Sequence, residues 1–232
     1  QRLFTRHTGL SPAAYARALR AERAAEALSA EGNVTDAIYA AGYSGPSRFY
    51  EANQRRLGMA PSVWAEGGRG VTIRWARVQT SLGLMLVAAS DKGVCRLTFN
   101  EDAGALAARF PHAELVEGGV DFAALLAEVV AAVEQPGSGG GHIPLDVRGT
   151  AFQEAVWREL RRIPPGETRS YSQLAAAVGH PRAVRAAGSA NGANHVSVLI
   201  PCHRVVRSDG SLGGYAWGLD IKQELLRRER GD

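Results

Sequence analysis

Cysteine is scarce in this chain, and that scarcity narrows its chemistry. Among 232 residues only Cys95 and Cys202 carry thiols. Their separation of about a hundred residues fits neither a disulfide framework nor a metal-binding pair. The six histidines are scattered, so no metal site is expected. A reduced, cytoplasmic setting follows from the same counts. No apolar run approaches the ~20 residues that cross a bilayer, so no membrane partner is expected. No cationic stretch followed by an apolar one opens the chain as a secretory signal would. No glycine-rich strand-to-helix turn of the dinucleotide type occurs, which predicts no cofactor. The chain does not open on Met, and its first residues read as helix, which predicts a piece of a longer protein.

Hydrophobic residues make up 45% and charged residues 22%, ordinary values for a folded globular protein. The net charge of +4 is unevenly spread. Residues 1–70 hold 9 basic and 6 acidic side chains, residues 71–149 hold 6 and 9, and residues 150–232 hold 12 and 8. Two basic ends around an acidic middle suggest two surfaces that face nucleic acid.

Residues 1–66 read as helices alone. Ser11-Pro12 is a helix start, and Ala13 to Ala30 continues it to Gly32. Thr35 to Ala41, a Gly42-Tyr43 turn, and Ser47 to Leu57 form a helix-turn-helix pattern, with Arg48 near the start of its second helix. Gly67-Gly68-Arg69-Gly70 reads as a linker. Three strand-like blocks follow at Val71–Val78, Leu84–Ala89 and Val94–Phe99, with Cys95 in the core of the third. Helical spacing is expected at 103–110 and 120–134, and a short strand at Ile143–Val147.

The last third carries the chemistry. Thr150 is expected to cap a helix to Ile163, and Ser170 a helix to Val178. After Gly179-His180-Pro181, Arg182 to Asn194 completes a second helix-turn-helix. Its stretch Ala183, Ala186, Ala187, Gly188, Ser189, Ala190 is almost bare of side chain, with Arg185 projecting from it. Glycine inside a helix costs roughly 0.5–1 kcal/mol against alanine, so a compensating role is expected. That role is either tight helix packing or insertion into a DNA groove. Further on, Cys202 and His203 are adjacent, framed by Pro201 and an apolar run. A free thiol with a pKa near ~8.5 is mostly protonated at neutral pH, and a neighbouring base supplies the nucleophilic thiolate. The plain alternative is a small buried hydrophobe.

These motifs carry two resemblances. Thr35 to Tyr43, Ser47-Arg48-Phe49-Tyr50 and Leu57-Gly58-Met59-Ala60-Pro61 resemble the second half of an AraC-type DNA-binding domain. Residues 149–230 resemble the active-site domain of the O6-alkylguanine-DNA alkyltransferases. The strings that carry this are Ile163-Pro164-Pro165-Gly166-Glu167-Thr168-Arg169-Ser170-Tyr171, Ala183-Val184-Arg185-Ala186, Ile200-Pro201-Cys202-His203-Arg204-Val205-Val206 and Gly214-Tyr215-Ala216-Trp217-Gly218. The whole chain is similar to the Ada-type members without their metal-binding N-terminal part.

The resemblance implies an α+β protein in three parts. These are an all-helical AraC-type segment at 1–66, a small ribonuclease H-like α+β scaffold at 71–147, and a mostly helical active-site domain at 148–232. It implies Cys202 as alkyl acceptor, His203 as base, Glu229 as its acidic partner and Asn194 as a hinge. Tyr171 and Arg185 would flip the nucleotide, and Val205, Tyr215, Ala216 and Trp217 would form the base pocket. Ala216 stands where some members carry a hydroxyl residue. Arg185, Ala186, Ala187, Gly188 and Ser189 would meet the minor groove of duplex DNA carrying alkylated bases. The expected activity is stoichiometric alkyl transfer from O6-alkylguanine, with O4-alkylthymine as a second substrate, by a monomer. Promoter binding through residues 1–66 is a further expectation. An AraC-type regulator without repair activity and a cysteine hydrolase built on Cys202 and His203 are the alternatives.

Overall fold

A computed structural model describes residues 70–147, 149 and 151–231. The segment 1–66, with Arg48 and its expected helix-turn-helix, lies outside them.

The three expected strand blocks are β1 (Thr72–Thr80), β2 (Gly83–Ser90) and β3 (Gly93–Phe99), joined by two tight turns into an antiparallel meander. A helix, α1 (Ala103–Arg109), then returns the chain to β4 (Glu114–Glu117), which pairs in parallel with the far side of β1. The sheet order is therefore β3-β2-β1-β4. Asp102 caps α1 by accepting from Ala105 N at 3.0 Å. The sequence did not announce β4: four residues with acidic ends are too short for a periodic signal.

Strand β2 shows why this sheet is covered on both faces. Its run Leu84 to Ala89 is apolar throughout, as a strand buried on two sides must be. Leu86 and Ala88 join Ile73, Leu106 and Phe110 beneath α1. Met85, Val87 and Ala89 face the other way, towards Phe122, Val129 and Val133 of α2 (Val120–Glu134).

The expected strand at Ile143–Val147 is a single bridge instead. Leu145 pairs with Val94, flanked by Val94 N donating to Pro144 O and Asp146 N donating to Val94 O. Pro144 has no N–H to extend a ladder. The approach needs glycine at Gly93: φ is +137°, and a Cβ there would lie 2.3 Å from the Pro144 carbonyl oxygen.

The remaining elements are α3 (Ala151–Leu160), β5 (Arg169–Ser170), α4 (Tyr171–Ala177), α5 (Val184–Gly192), β6 (Val205–Val206) and α6 (Leu219–Arg230). Helix α3 stops at Leu160 rather than Ile163, because Pro164 forces the residue before it out of the helical region. Ser170 caps α4 as expected, and Gln173 completes a capping box. Helix α5 is shorter at both ends than the expected Arg182–Asn194; no side chain caps it at Ala183. Strand β5 pairs in parallel with β6, so the start of α4 sits beside the residues that follow Cys202.

One hydrophobic core crosses both halves. It contains Met85, Leu97 and Val133 from the first and Trp157, Leu174, Ala187, Ile200, Cys202 and Leu225 from the second. The edge of β3 is closed by the active-site half: Leu97 bridges Val196, Leu97 N donates to His195 O, and Ser197 N donates to Leu97 O. Among the described residues no helix is long and apolar enough to cross a membrane.

Candidate active site

Cys202 opens a single 3-10 turn, Cys202–Arg204, behind Pro201. Cys202 N donates back to Ile200 O at 2.8 Å and Arg204 N to Pro201 O at 3.1 Å. The preceding loop is strained. Val198 sits at φ 64°, a region that β-branched residues avoid, and Leu199 N closes onto Ser197 O at 2.6 Å. Such a conformation costs of order 1–3 kcal/mol and needs external anchors. Ser197 supplies them, through its N–H on Leu97 and its hydroxyl 2.7 Å from the Tyr215 hydroxyl.

Asn194 holds the thiol. Its Nδ2 donates to Ile200 O at 2.9 Å and to Cys202 Sγ at 3.0 Å, while its Oδ1 accepts from Val196 N at 3.0 Å. The expected hinge is therefore also a direct partner of the sulfur. Burial pushes the Cys202 thiol up to about 11, against the opposing pull of the Asn194 hydrogen bond and the Lys222 charge. The resting group at neutral pH is the thiol, and a base must take its proton.

His203 is the side chain expected to act as that base. Its Nε2 lies 2.8 Å from Glu229 Oε1, with both side chains fully buried. Arg204 fixes the carboxylate: Nε donates to Glu229 Oε1 at 3.1 Å and Oε2 at 3.0 Å, Nη2 donates to Oε1 at 2.7 Å, and Nη1 donates to Ile163 O. Burial opposes the charge on Glu229, but the hydrogen bonds from His203 and Arg204 outweigh it and bring the carboxyl to about 2. An anionic Glu229 accepts, so Nε2 carries the hydrogen and Nδ1 presents a lone pair. Nδ1 is buried, with no partner among the described residues. Burial lowers the His203 pKa, with Glu229 opposing, so the ring is neutral and able to accept a proton.

Lys222 had no role in the sequence reading. It is fully buried. Its Nζ donates to Val205 O at 2.6 Å, to Leu212 O, and to Gly214 O at 3.4 Å, strapping the 207–218 loop to β6. Burial brings its pKa down to about 8, and its charge favours the Cys202 thiolate. Arg204 and Asn191 were also missed; Asn191 Nδ2 reaches Cys202 O at 3.4 Å. Their partners lie far off in sequence or are backbone atoms, which no motif records.

The remaining expected residues divide. Tyr171, half-buried, packs on Gly213, where a Cβ would lie 3.0 Å from its hydroxyl. Burial and the nearby Cys202 raise its pKa, so its hydroxyl stays a donor. Tyr215 stacks edge-on against Trp217, centroids 5.1 Å apart, and Trp217 in turn meets Phe99 of β3 at 6.4 Å. Val205 is fully buried at the strand that follows the turn, and Ala216 is exposed between the two aromatic residues. On α5, Arg185, Ala186 and Ser189 are exposed and Gly188 is half-buried beside the Tyr171 ring. Ala187 departs from the expectation: it is fully buried in the core, because it falls on the inner face of the helix with Ala183 and Ala190. The packing explanation thus holds for the inner face, while the outer face, with Arg185, Ala186 and Ser189, is open to solvent. Trp157 Nε1 donates to Ala190 O at 2.8 Å, an approach a larger side chain would hinder.

A buried thiol, a neutral histidine and an oriented carboxylate beside a helix-turn-helix make a cysteine-centred site. Residues 151–231 match the family described as 6-O-methylguanine DNA methyltransferase, DNA binding domain, and residues 1–67 match a helix-turn-helix domain family. A methylated-DNA–protein-cysteine methyltransferase of Methanosarcina barkeri is 37% identical over 67% of this chain and 96% of its own length. The structure of Mycobacterium tuberculosis OGT in complex with DNA superposes with a TM-score of 0.58 at 33% identity, covering 69% of this chain and 94% of that one. The chain belongs to the methylated-DNA–protein-cysteine methyltransferase family. Its similarity runs on through the N-terminal segment to the bifunctional transcriptional activator/DNA repair enzyme Ada of Escherichia coli, 43% identical over 98% of this chain. The chain spans 65% of that relative's length.

Proposed function

We infer that the protein repairs DNA by moving an alkyl group from O6-alkylguanine onto Cys202, once per molecule and without a cofactor. The observation that carries this is the sulfur itself, held by Asn194 in the buried turn that also presents His203 to Glu229. Sulfur attacks the alkyl carbon and the carbon–oxygen bond breaks, its electron pair staying on the guanine oxygen. The thiol proton passes to His203 Nδ1 through a bridging water, because no hydrogen bond joins Sγ and Nδ1 directly among the described residues, and the Tyr171 hydroxyl donates to the leaving base. A thioether is a very poor leaving group, so the product persists and the protein is consumed. The alkylated oxygen is out of reach inside a stacked duplex, so the base must swing out at a cost of a few kcal/mol. The exposed small residues of α5 fit a minor groove, and Arg185 fills the vacated place in the stack. O4-alkylthymine is the second substrate in this reading, the acting form is a monomer, and the setting is the reducing cytoplasm.

Mass spectrometry after incubation with duplex DNA containing O6-methylguanine tests the reading. The expected result is a permanent gain of one methyl on the peptide that carries Cys202. An unchanged mass with turnover of an ester instead would make the protein a hydrolase.

A second activity rests on residues 1–67, which match the helix-turn-helix family. They would bind promoter DNA, and footprinting on a promoter against a random duplex tests this.

Trp217 narrows the base pocket in this reading, since Tyr215 and Phe99 hold it edge-on. Trp217→Ala is expected to raise the rate on benzylguanine relative to methylguanine by about tenfold, the scale of one or two methylenes' worth of room. Competition between the two substrates in single-turnover assays reads the ratio.

A further inference from the structure

Glu229 occupies the last turn of α6, one residue from its end at Arg230. Helix ends open at little cost, so a carboxylate there needs an anchor if it is to orient a buried ring. Arg228, its neighbour in sequence, points to the other side of the helix and crosses to the scaffold half. Its Nη1 donates to Ser81 Oγ at 2.8 Å and reaches the Glu134 backbone oxygen at 3.4 Å and Oε2 at 3.5 Å. Its Nε donates to Glu224 Oε1 at 2.7 Å, one turn earlier on α6. The scaffold end is itself braced: Ser81 N donates to Glu134 Oε1 at 2.8 Å and the Ser81 hydroxyl donates to Glu134 Oε2. Ser81 lies in the β1–β2 turn and Glu134 ends α2, so the bracket ties the tip of α6 to two scaffold elements. The Arg228 side chain is 18% exposed and Glu134 35%, an intermediate setting in which an ion pair is only partly screened.

We propose that Arg228 is a positioning residue for alkyl transfer: its bracket onto Ser81 and Glu134 holds the final turn of α6, so that Glu229 meets His203 and Arg204 in register. This rests on the transfer reading above. His203 is faced by Glu229 and Lys222 of α6 and by Arg204 and Cys202 of its own turn, so losing the Glu229 contact leaves two cations opposing protonation of the ring.

Single-turnover transfer from an O6-methylguanine duplex tests it, with the pH profile and DNA affinity measured alongside. Arg228→Ala is expected to slow transfer about tenfold, the scale of a small misplacement of a reacting group, with unchanged DNA affinity. The acid limb of its profile should move to lower pH, as His203 loses its anionic partner. Arg228→Lys, which keeps the charge, should recover part of the rate. Arg227→Ala, on the neighbouring exposed position, should match the wild type. Should Arg228→Ala fail to fold, Glu134→Gln loosens the other end of the same bracket and carries the same expectation. Wild-type rate and pH profile in a folded variant, with only a lowered Tm, would overturn the proposal. A wild-type protein that takes up no methyl overturns the transfer reading instead.

Discussion

Cys202→Ser is expected to take up no methyl group from an O6-methylguanine duplex, while binding that duplex as the wild type does. The exchange replaces a soft sulfur by a hydroxyl whose proton neutral His203 cannot remove to a useful extent. Transfer should fall by about a thousandfold or more, the scale seen when a nucleophile is removed from a working constellation. The fold should survive, because the turn around Cys202 is set by its backbone bonds and by Asn194, whose Nδ2 can donate to a hydroxyl as it does to the sulfur. Intact-protein mass and fluorescence anisotropy on the same preparation read both halves of the expectation. Methyl uptake by this variant would move the acceptor to another residue.

Glu229→Gln should have the second largest effect, on rate and stability together. The carboxylate takes three contacts from the Arg204 guanidinium and one from His203. Replacing it by an amide leaves the buried guanidinium without a counter-charge, and breaking such a pair costs about 3–5 kcal/mol. It also offers His203 Nε2 either a donor or a weaker acceptor, so the tautomer that leaves Nδ1 free is no longer enforced. By the logic of a histidine–carboxylate pair in nucleophilic catalysis, transfer should slow about a hundredfold or more. The pH dependence has a definite sign. Folding depresses this carboxyl from 4.5 to about 2, so its stabilising contribution is present above 4.5 and is lost as pH falls towards 2. The Tm difference between wild type and variant should shrink through that window, and thermal melts across it check the claim. A constant difference would mean that the cost is packing rather than charge.

The chemistry-bearing string around Cys202 was legible because its parts are local. Pro201 stiffens the approach, and Cys202 and His203 are adjacent by covalent structure. The strands β1 to β3 were legible because apolar runs and turn residues punctuate them. What escaped depends on distance. Arg204 stands in the same string, but its partners are Glu229 and the Ile163 carbonyl, which only folding brings near. Lys222 sits in a run with Gln223, Glu224, Arg227 and Arg228 that reads as a solvated face. The carbonyls of Val205, Leu212 and Gly214 make its burial tolerable, and backbone acceptors leave no trace in composition. Ala187 was assigned to the DNA face because its neighbours were, and only the rotation of α5 separates them. Residues 143–147 have strand composition but make one bridge, since Pro144 cannot donate.

The seam between β3 and the loop at His195–Ser197 has one more implication. Leu97, Val196 and Ile200 belong to the same apolar interior as the reacting sulfur. A polypeptide ending before Arg148 would leave an open sheet margin and a bare oily wall, the setting in which strands recruit foreign chains. The complementary piece, residues 148–232, would keep every group named in the chemistry yet lose the wall it leans on. The two share one hydrophobic core, and the reactive turn is only as firm as the sheet behind it.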